Sequence, residues 1–253
     1  MAGLSFDRYR TEIVTQTEQL VSQVDGADLA TPVPTCPGWD LGRLLHHVGA
    51  GHRWVEEVVR SGAVEPLPDD ALRVEPDEHP ADHGTWLVEG ARQLSDALGE
   101  AGPDAEVWTA APGGKPVFWA RRFTHETLVH RVDAALALGK PVEVAPEVAV
   151  DALDEWMELG ALPEAVEFHP ERRELLGPGR TLHLHATDAD DAEWVVDLTG
   201  DRVAWRRAHE KSAVAVRGPV VDLLLTVYGR QAPPDVVGDR ALLDFWLGRV
   251  SFG

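Results

Sequence analysis

The feature that most constrains the fold is a change in the period of the apolar residues near Pro146. Before it, apolar side chains recur at helical spacing in runs separated by loops rich in proline and glycine. From Arg180 onward, short segments alternate with a period of two between turn residues, which is typical of strands. The sequence therefore predicts an α+β protein of two domains, a helical bundle over residues 1–145 and an α+β domain over 146–253.

Four helices are predicted in the first domain. The first covers Phe6–Val24, and the second follows Asp40, a well-placed N-cap, and ends at Gly62. The third resumes a helical pattern at residues 85–98. The fourth comprises the run FTHETLVHRVDAALALG, residues 123–139, which Gly139 terminates. An acidic, proline-rich segment between the second and third helices has no period and is predicted to be a solvated loop.

The second domain is predicted to begin with a helix from Glu147 to about Gly160, followed by a loop rich in proline and glutamate. An antiparallel sheet is expected next, with TGDR as a hairpin connection. Its four strands are TLHLHATD, AEWVVDLT, DRVAWRRA and SAVAVRG. Two helices complete the domain, in GPVVDLLLTVYGR and DRALLDFWLGRV.

Charge and composition exclude some classes of partner. The chain has 43 Asp and Glu against 23 Lys and Arg, a formal net charge of −20. This charge repels nucleic-acid phosphates and anionic lipid surfaces, so neither nucleic acid nor a membrane is expected as a partner. No apolar leader or apolar run of membrane-spanning length is present, which favours a cytoplasmic location.

The predicted fourth helix carries ionisable side chains at helical spacing. Glu126 and His130 are four residues apart and share a face, as two metal ligands would. Asp133 follows three residues later and is placed to accept the other ring N–H of His130, which would fix its tautomer. His125 is turned about 100° away from Glu126. The alternative is a pair that only stabilises the helix.

A third ligand is available on the second helix, which contains His46, His47 and His52. Only His47 lies along the edge of that helix's apolar stripe, from which it can face Glu126 and His130. Two histidines and one carboxylate leave coordination positions open to water or substrate, as in catalytic zinc sites and non-haem iron sites. These three residues are therefore candidate ligands for a divalent metal, and a pair that only stabilises the helix stays the alternative.

Two phrases, VPTCPGWDLGRLLHHVGAGHRW and HETLVHRVDAALALG, resemble the mycothiol-dependent maleylpyruvate isomerase family. In that family a CPGW loop precedes a helix whose histidine lies eight residues after the tryptophan, a position that falls on His47. The family's Glu-x-x-x-His pair falls on Glu126 and His130. The resemblance implies a DinB-like four-helix bundle that binds a divalent metal, usually zinc, with mycothiol as the thiol cosubstrate.

The second domain also resembles this family, whose recurrent G-x-x-x-D-L-L-L-x-x-x-G-R appears here as GPVVDLLLTVYGR. The resemblance implies an α+β module related in shape to sterol-carrier folds. In the family an arginine of this domain faces the metal cleft and is needed for activity, and this role falls on Arg230. A guanidinium there would form a fork for a substrate carboxylate. The alternative is that Arg230 caps the end of its helix.

The expected function is that of a metal-dependent, thiol-linked isomerase or S-transferase acting on a small electrophilic substrate. Both reactions begin with the attack of a thiolate on an electrophilic carbon. An isomerase would then allow rotation about the resulting single bond and eliminate the thiol. The alternative is a non-catalytic protein of the same fold that binds a small ligand or regulates. A monomer or a homodimer is expected.

Cys36 and the pair of His183 and His185 are predicted to have structural roles. Cys36 has no basic neighbour in sequence, so a small apolar group in the loop before the second helix is expected rather than a nucleophile. His183 and His185 share one face of a predicted strand. A polar face turned to solvent is favoured there over a second metal-binding pair.

Overall fold

The computed structural model describes residues 3–67 and 82–250, which divide into two compact units. The first unit is Leu4–Val142, and the second begins at Glu143. The two-domain α+β class predicted from the sequence is confirmed. The loop predicted over residues 63–84 lies largely outside the described residues. Among the helices in the described parts of the chain, none combines the length and the apolar character needed to cross a bilayer.

Four helices build the first unit. They are α1 (Phe6–Val24), α2 (Leu41–Ser61), α3 (His83–Ala101) and α4 (Pro116–Ala137). Both α1 and α2 pack against α3 and against α4, so the four form the predicted helical bundle. Their apolar faces enclose the core of this unit.

Helix α2 begins and ends where its capping residues predict. The Asp40 side chain accepts a hydrogen bond of 2.8 Å from the backbone N–H of Arg43. At the other end, Gly62 adopts the left-handed conformation with φ of 60°. These caps satisfy backbone groups that the helix ends would otherwise leave without partners.

Helix α4 is longer than predicted, because it begins at Pro116 rather than at residue 123. The added turns carry Trp119, whose indole N–H donates to the carbonyl of Trp108 over 2.7 Å. From Phe123 to Ala135 nearly every side chain of α4 is buried, since α1, α2 and α3 all contact this helix. The missed residues 116–122 span only about two turns and are only partly buried, too little for a helical period to mark the start.

The second unit alternates helices with a five-stranded sheet. Its elements are α5 (Pro146–Gly160), α6 (Pro163–Phe168), a 3-10 helix (Pro170–Leu175), β1 (Thr181–Ala186), β2 (Glu193–Asp197), β3 (Ala204–Arg207), β4 (Val214–Gly218), α7 (Val220–Val227), β5 (Asp235–Gly238) and α8 (Arg240–Val250). The short elements α6, the 3-10 helix and β5 were not predicted, because each spans too few residues to display a period.

The strand order in the sheet is β3-β2-β1-β4-β5. Most neighbouring strands pair antiparallel, including β2 with β3 through the predicted hairpin. β1 and β4 instead pair in parallel, with Leu182 opposite Val214. The expected antiparallel sheet is thus corrected to a mixed one. Period-two alternation is the same for either strand direction, so the pattern alone does not determine it.

A close approach of α2 to α3 depends on Gly49. A Cβ atom built on Gly49 would overlap the six-membered ring of Trp86. Arg53 also holds Trp86 in place. Its guanidinium lies 4.1 Å from the ring centroid and donates a hydrogen bond of 2.8 Å to the Trp86 carbonyl. The indole therefore has little freedom to yield to a larger residue.

We expect Gly49→Ala to lower the free energy of unfolding by about 1–3 kcal/mol, the usual cost of overpacking a core. The matched control is Gly248→Ala in α8, where an added Cβ meets no atom within 4 Å. That change should instead stabilise the protein by about 0.5–1 kcal/mol through helix propensity. Chemical denaturation of both variants measures the difference, and equal effects at the two sites would contradict the packing argument.

Candidate metal centre

Three side chains from two helices converge in the first unit. His47 projects from α2, and Glu126 and His130 project from α4. The Nε2 atom of His47 lies 3.2 Å from Glu126 Oε1, and the Nε2 atom of His130 lies 3.1 Å from the same oxygen. The structure thus brings together the three residues predicted as ligands, and their binding of a metal stays a prediction.

The geometry of this cluster fits a divalent metal ion. Metal–ligand bonds of about 2.0–2.1 Å in a tetrahedral site place neighbouring donor atoms roughly 3.3 Å apart. The two nitrogen–oxygen distances of 3.2 and 3.1 Å are close to this spacing. All three donor atoms lie within 4.8 Å of one another. Two imidazoles and one carboxylate are also ligands that zinc and related ions prefer.

The carboxylate of Asp133 orients His130. Asp133 is fully buried, and its Oδ2 accepts a hydrogen bond of 3.0 Å from the Nδ1–H of His130. Because Asp133 holds the Nδ1 side of the ring, Nε2 faces Glu126 Oε1 and is the nitrogen available to a metal ion. This is the arrangement predicted from the spacing of the two residues on the helix.

Cys36 contributes to the same network, a role that the sequence interpretation missed. Its thiol donates to Asp133 Oδ2 over 3.4 Å, so the buried carboxylate oxygen is shared between Cys36 and His130. The side chain is buried, as expected of a packing residue. Its contact with a residue 97 positions later is a long-range one for which the sequence offers no signal apart from the CPGW motif.

The CPGW motif is a tight turn. The backbone N–H of Trp39 donates to the carbonyl of Cys36 over 3.0 Å, and Gly38 has φ of 81°. Proline followed by a glycine with positive φ is the signature of a type II turn. The turn places Cys36 and Trp39 at either end, so both side chains reach the ligand cluster.

Further contacts fix the ligands from outside. The Trp39 ring stacks on His130 at a centroid distance of 5.9 Å and lies 4.9 Å from the ring of His47. Arg122 donates to Glu126 Oε2 over 3.2 Å. This ion pair occupies one carboxylate oxygen and leaves Oε1 facing the two imidazoles.

The electrostatics of the cluster favour a positive charge between these groups. Burial alone would lower the pKa of His130, but hydrogen bonds with Asp133, Cys36 and Glu126 hold it well above its usual value. Burial alone would raise the pKa of Glu126, but hydrogen bonds with His130 and His47, together with Arg122, hold it well below its usual value. The pocket therefore stabilises a cation, whether a proton or a metal ion.

Access to the cluster is uneven. The side chain of His130 is 10% exposed, that of Glu126 is 32% exposed and that of His47 is 43% exposed. The site is therefore closed beneath His130 and open beside His47, which leaves room for a further ligand on the solvent side.

The other histidines of these helices lie outside the cluster. His46 stacks on Trp86 at a centroid distance of 5.9 Å. His125 is buried beside Tyr9, with ring centroids 6.3 Å apart. His52 is fully buried. The sequence argument that selected His47 over His46 and set His125 aside agrees with these positions.

Arg230 belongs to the second unit and lies three residues beyond Val227, the last residue of α7. Its Nη1 donates to the carbonyl of Tyr228 over 2.7 Å, and its guanidinium lies 5.9 Å from the Tyr228 ring centroid. The contact with a carbonyl at the end of α7 is the one expected of a capping residue. Binding of a substrate carboxylate by Arg230 stays a prediction.

Comparison with known proteins identifies relatives of both units. The family model of the mycothiol maleylpyruvate isomerase N-terminal domain matches residues 10–135. The model of the corresponding C-terminal domain matches residues 147–245. A search of curated proteins found no match.

Two solved structures share the fold. One is a crystal structure of the mycothiol-dependent maleylpyruvate isomerase, with a TM-score of 0.62 and 16% identity over 91% of this chain and 93% of that one. The other is a mutant of that isomerase in which alanine replaces one histidine, with a TM-score of 0.62, 15% identity and the same coverage of 91% and 93%.

His52 lies buried next to the centre, and its burial affects how the stability of the protein depends on pH. Its Nε2 is 2.9 Å from the Thr127 hydroxyl on α4. Burial, reinforced by the positive charge of Arg53, lowers the pKa of His52 to about 3. An unfolded chain would bind a proton there near pH 6.5. Between these two pH values the unfolded state binds more protons, so stability falls as the pH falls.

We expect His52→Gln to flatten the decline in unfolding free energy between pH 6.5 and 4, a decline to which His52 contributes on the order of a few kcal/mol. His169→Gln is the control, since the side chain of His169 is half exposed. Denaturant titrations across this pH range compare the slopes. An unchanged slope in His52→Gln would show that the buried imidazole is not the group responsible.

Proposed function

The chain belongs to the mycothiol maleylpyruvate isomerase family, and we propose on this premise that it is a metal-dependent enzyme acting with a low-molecular-weight thiol. The substrate class would be a small electrophile, which the enzyme isomerises or conjugates to the thiol. The observation that carries this proposal is the convergence of His47, Glu126 and His130 at metal-ligand spacing, with one open side. The relatives' name supplies mycothiol as the first thiol to test.

The metal ligands would be the Nε2 atoms of His47 and His130 and the Oε1 atom of Glu126, and zinc is the first candidate ion. When bound, a divalent ion there would supply Lewis acidity and lower the pKa of a coordinated thiol. Asp133 would keep the Nδ1 proton on His130, and Arg122 would hold the second oxygen of Glu126. These two contacts would keep the ligand atoms aimed at the ion.

The position of Cys36 supports the use of an external thiol. Its sulfur is buried and donates to Asp133, on the side of His130 away from Glu126. A nucleophile needs an accessible, ionised sulfur, and the sulfur of Cys36 is buried. The reacting thiol would enter instead from the side of His47, which is the exposed side of the cluster.

Arg230 would recognise a substrate carboxylate. The proposal rests on its place in the motif GPVVDLLLTVYGR, and a guanidinium can bind a carboxylate through two parallel hydrogen bonds. Its present bond to the Tyr228 carbonyl uses Nη1. The guanidinium has five N–H donors in all, so this bond is compatible with a second role.

The metal assignment predicts that purified protein binds about one equivalent of Zn²⁺ at this centre and that His47→Ala or His130→Ala abolishes this binding. Asp133→Asn should weaken it roughly 10- to 100-fold, because the tautomer of His130 is no longer fixed. His46→Ala is the matched control, since its ring stacks on Trp86 rather than facing Glu126. Isothermal titration with Zn²⁺ measures the number of bound equivalents and their affinity, and values unchanged by the two ligand substitutions would refute the assignment.

Activity is tested with metal-loaded protein, mycothiol and pairs of electrophiles that differ in a carboxylate group. An isomerase returns the thiol unchanged while the substrate's double bond changes configuration, whereas a transferase consumes one thiol per product. Arg230→Gln should raise KM for carboxylated substrates roughly 10- to 100-fold. Arg240→Gln, whose exposed side chain pairs with Asp244, should have no effect. Binding of electrophiles without turnover would favour a non-catalytic ligand-binding protein.

A further inference from the structure

A second group of potential metal ligands lies in the sheet of the second unit. It consists of His183 and His185 on β1, Glu193 on β2, and His209, which follows β3. The Glu193 Oε2 atom lies 2.7 Å from His183 Nε2, 2.8 Å from His185 Nδ1 and 2.7 Å from His209 Nδ1. Three imidazoles thus point ring nitrogens at a single carboxylate oxygen.

The pairing of the strands produces this arrangement. His183 and His185 alternate with Leu182 and Leu184, so the imidazoles share the face of β1 opposite to these leucines. Glu193 is the direct cross-strand partner of His185 in the antiparallel β1–β2 pair. Since directly opposed side chains lie on the same face of a sheet, the Glu193 carboxylate lies beside the two histidines.

This face is not the solvent-exposed polar face expected from the sequence. The side chain of His183 is only 8% exposed. His209 is 77% exposed and covers the group from outside. The three rings are mutually tilted by 69° to 87°, with centroids 5.6–5.9 Å apart. They are therefore arranged around a common point instead of stacking on one another.

We propose that His183, His185, Glu193 and His209 form a second metal site, which binds Zn²⁺ or a divalent ion of similar preference through three imidazoles and one carboxylate. Four protein ligands complete a tetrahedral shell, and this closure is characteristic of structural rather than catalytic zinc. The ion would join β1, β2 and the segment after β3. The site shares no residue with the cluster around Glu126 and does not depend on the proposed enzymatic function.

The distances between the donor atoms of this group would need to increase only slightly for it to bind a metal ion. The four donor atoms already lie within 4.8 Å of one another. The nitrogen–oxygen separations of 2.7–2.8 Å are hydrogen-bond lengths, and they would need to lengthen by about half an ångström to reach tetrahedral spacing. Little packing opposes this movement at His209, the most exposed member of the group.

The charges of the group also suit a cation. Burial alone would raise the pKa of Glu193, but hydrogen bonds from His185, His209 and His183 lower it to about 2, so the carboxylate is ionised at neutral pH. Burial lowers the pKa of His183 in spite of its hydrogen bond to Glu193, which favours the neutral imidazole. An ionised carboxylate and a neutral imidazole are the forms in which these residues bind metals.

Substitutions allow the two candidate metal sites to be tested independently of each other. The starting protein is the metal-free His47→Ala/His130→Ala variant, in which only the second site remains. We expect it to bind one equivalent of Zn²⁺ by isothermal titration, and bound Co²⁺ to show the visible absorption of a tetrahedral ion. Adding His185→Ala and His209→Ala should weaken binding by at least about a hundredfold, beyond the usual effect of losing an outer-shell partner.

The matched control in the same background is His169→Ala, since the half-exposed side chain of His169 pairs with Glu171 and lies outside the group. It should retain the full equivalent. His185 and His209 are chosen because His183 is more buried, and Glu193→Gln offers a second variant of nearly unchanged shape, with the same loss expected. Far-UV circular dichroism verifies the fold of each variant.

Absence of binding in the His47→Ala/His130→Ala variant would overturn the second site, and so would full retention after the His185 and His209 substitutions. If the first site binds no Zn²⁺, the result is different. The wild-type chain would then bind a single equivalent, and this binding would survive loss of His47 and His130. The outcome for one site therefore does not decide the other.

Discussion

The buried carboxylate of Asp133 is the interaction on which the candidate centre depends. It lies on α4, accepts hydrogen bonds from His130 and Cys36, and is fully enclosed by protein. An isolated charge in such a place is costly, whereas one with hydrogen-bonding partners is tolerated. The same oxygen therefore fixes the ring of His130 and attaches the turn before α2 to α4. Trp39, at the other end of that turn, is thereby brought against both imidazoles.

The packing of the helices makes this arrangement rigid. Helix α4 contacts the other three helices of the bundle, and α2 approaches α3 closely at Gly49. Both helices that carry the ligands are thus held along their length by neighbours. A site built on packed helices positions side chains more accurately than one built on loops. Arg122 and Asp133 then orient Glu126 and His130 locally.

Local rules predicted much of this structure. Capping by Asp40 set the start of α2, and the helical period placed Glu126, His130 and Asp133 on neighbouring faces and chose His47 over His46. These features depend on residues within a few positions of one another. A period, however, needs several turns and one buried face, and therefore did not reveal the first turns of α4.

Long-range contacts were the part that the sequence did not reveal. Three contacts depend on how distant segments of the chain pack together. They are the hydrogen bond between Cys36 and Asp133, the parallel pairing of β1 with β4, and the contact of His209 with Glu193 beside β1. Alternation identified His183 and His185 as sharing a face. It contained no information on Glu193 or on the ring of His209 that covers them.

The difference in exposure across the first cluster also decides which of its atoms the solvent reaches first. His130 and Glu126 are held by buried or paired partners, whereas His47 stands at the solvent side and is the most exposed of the three. Ions and small molecules therefore reach the cluster at the edge formed by His47. Exchange of solutes at this edge requires no unfolding of the bundle.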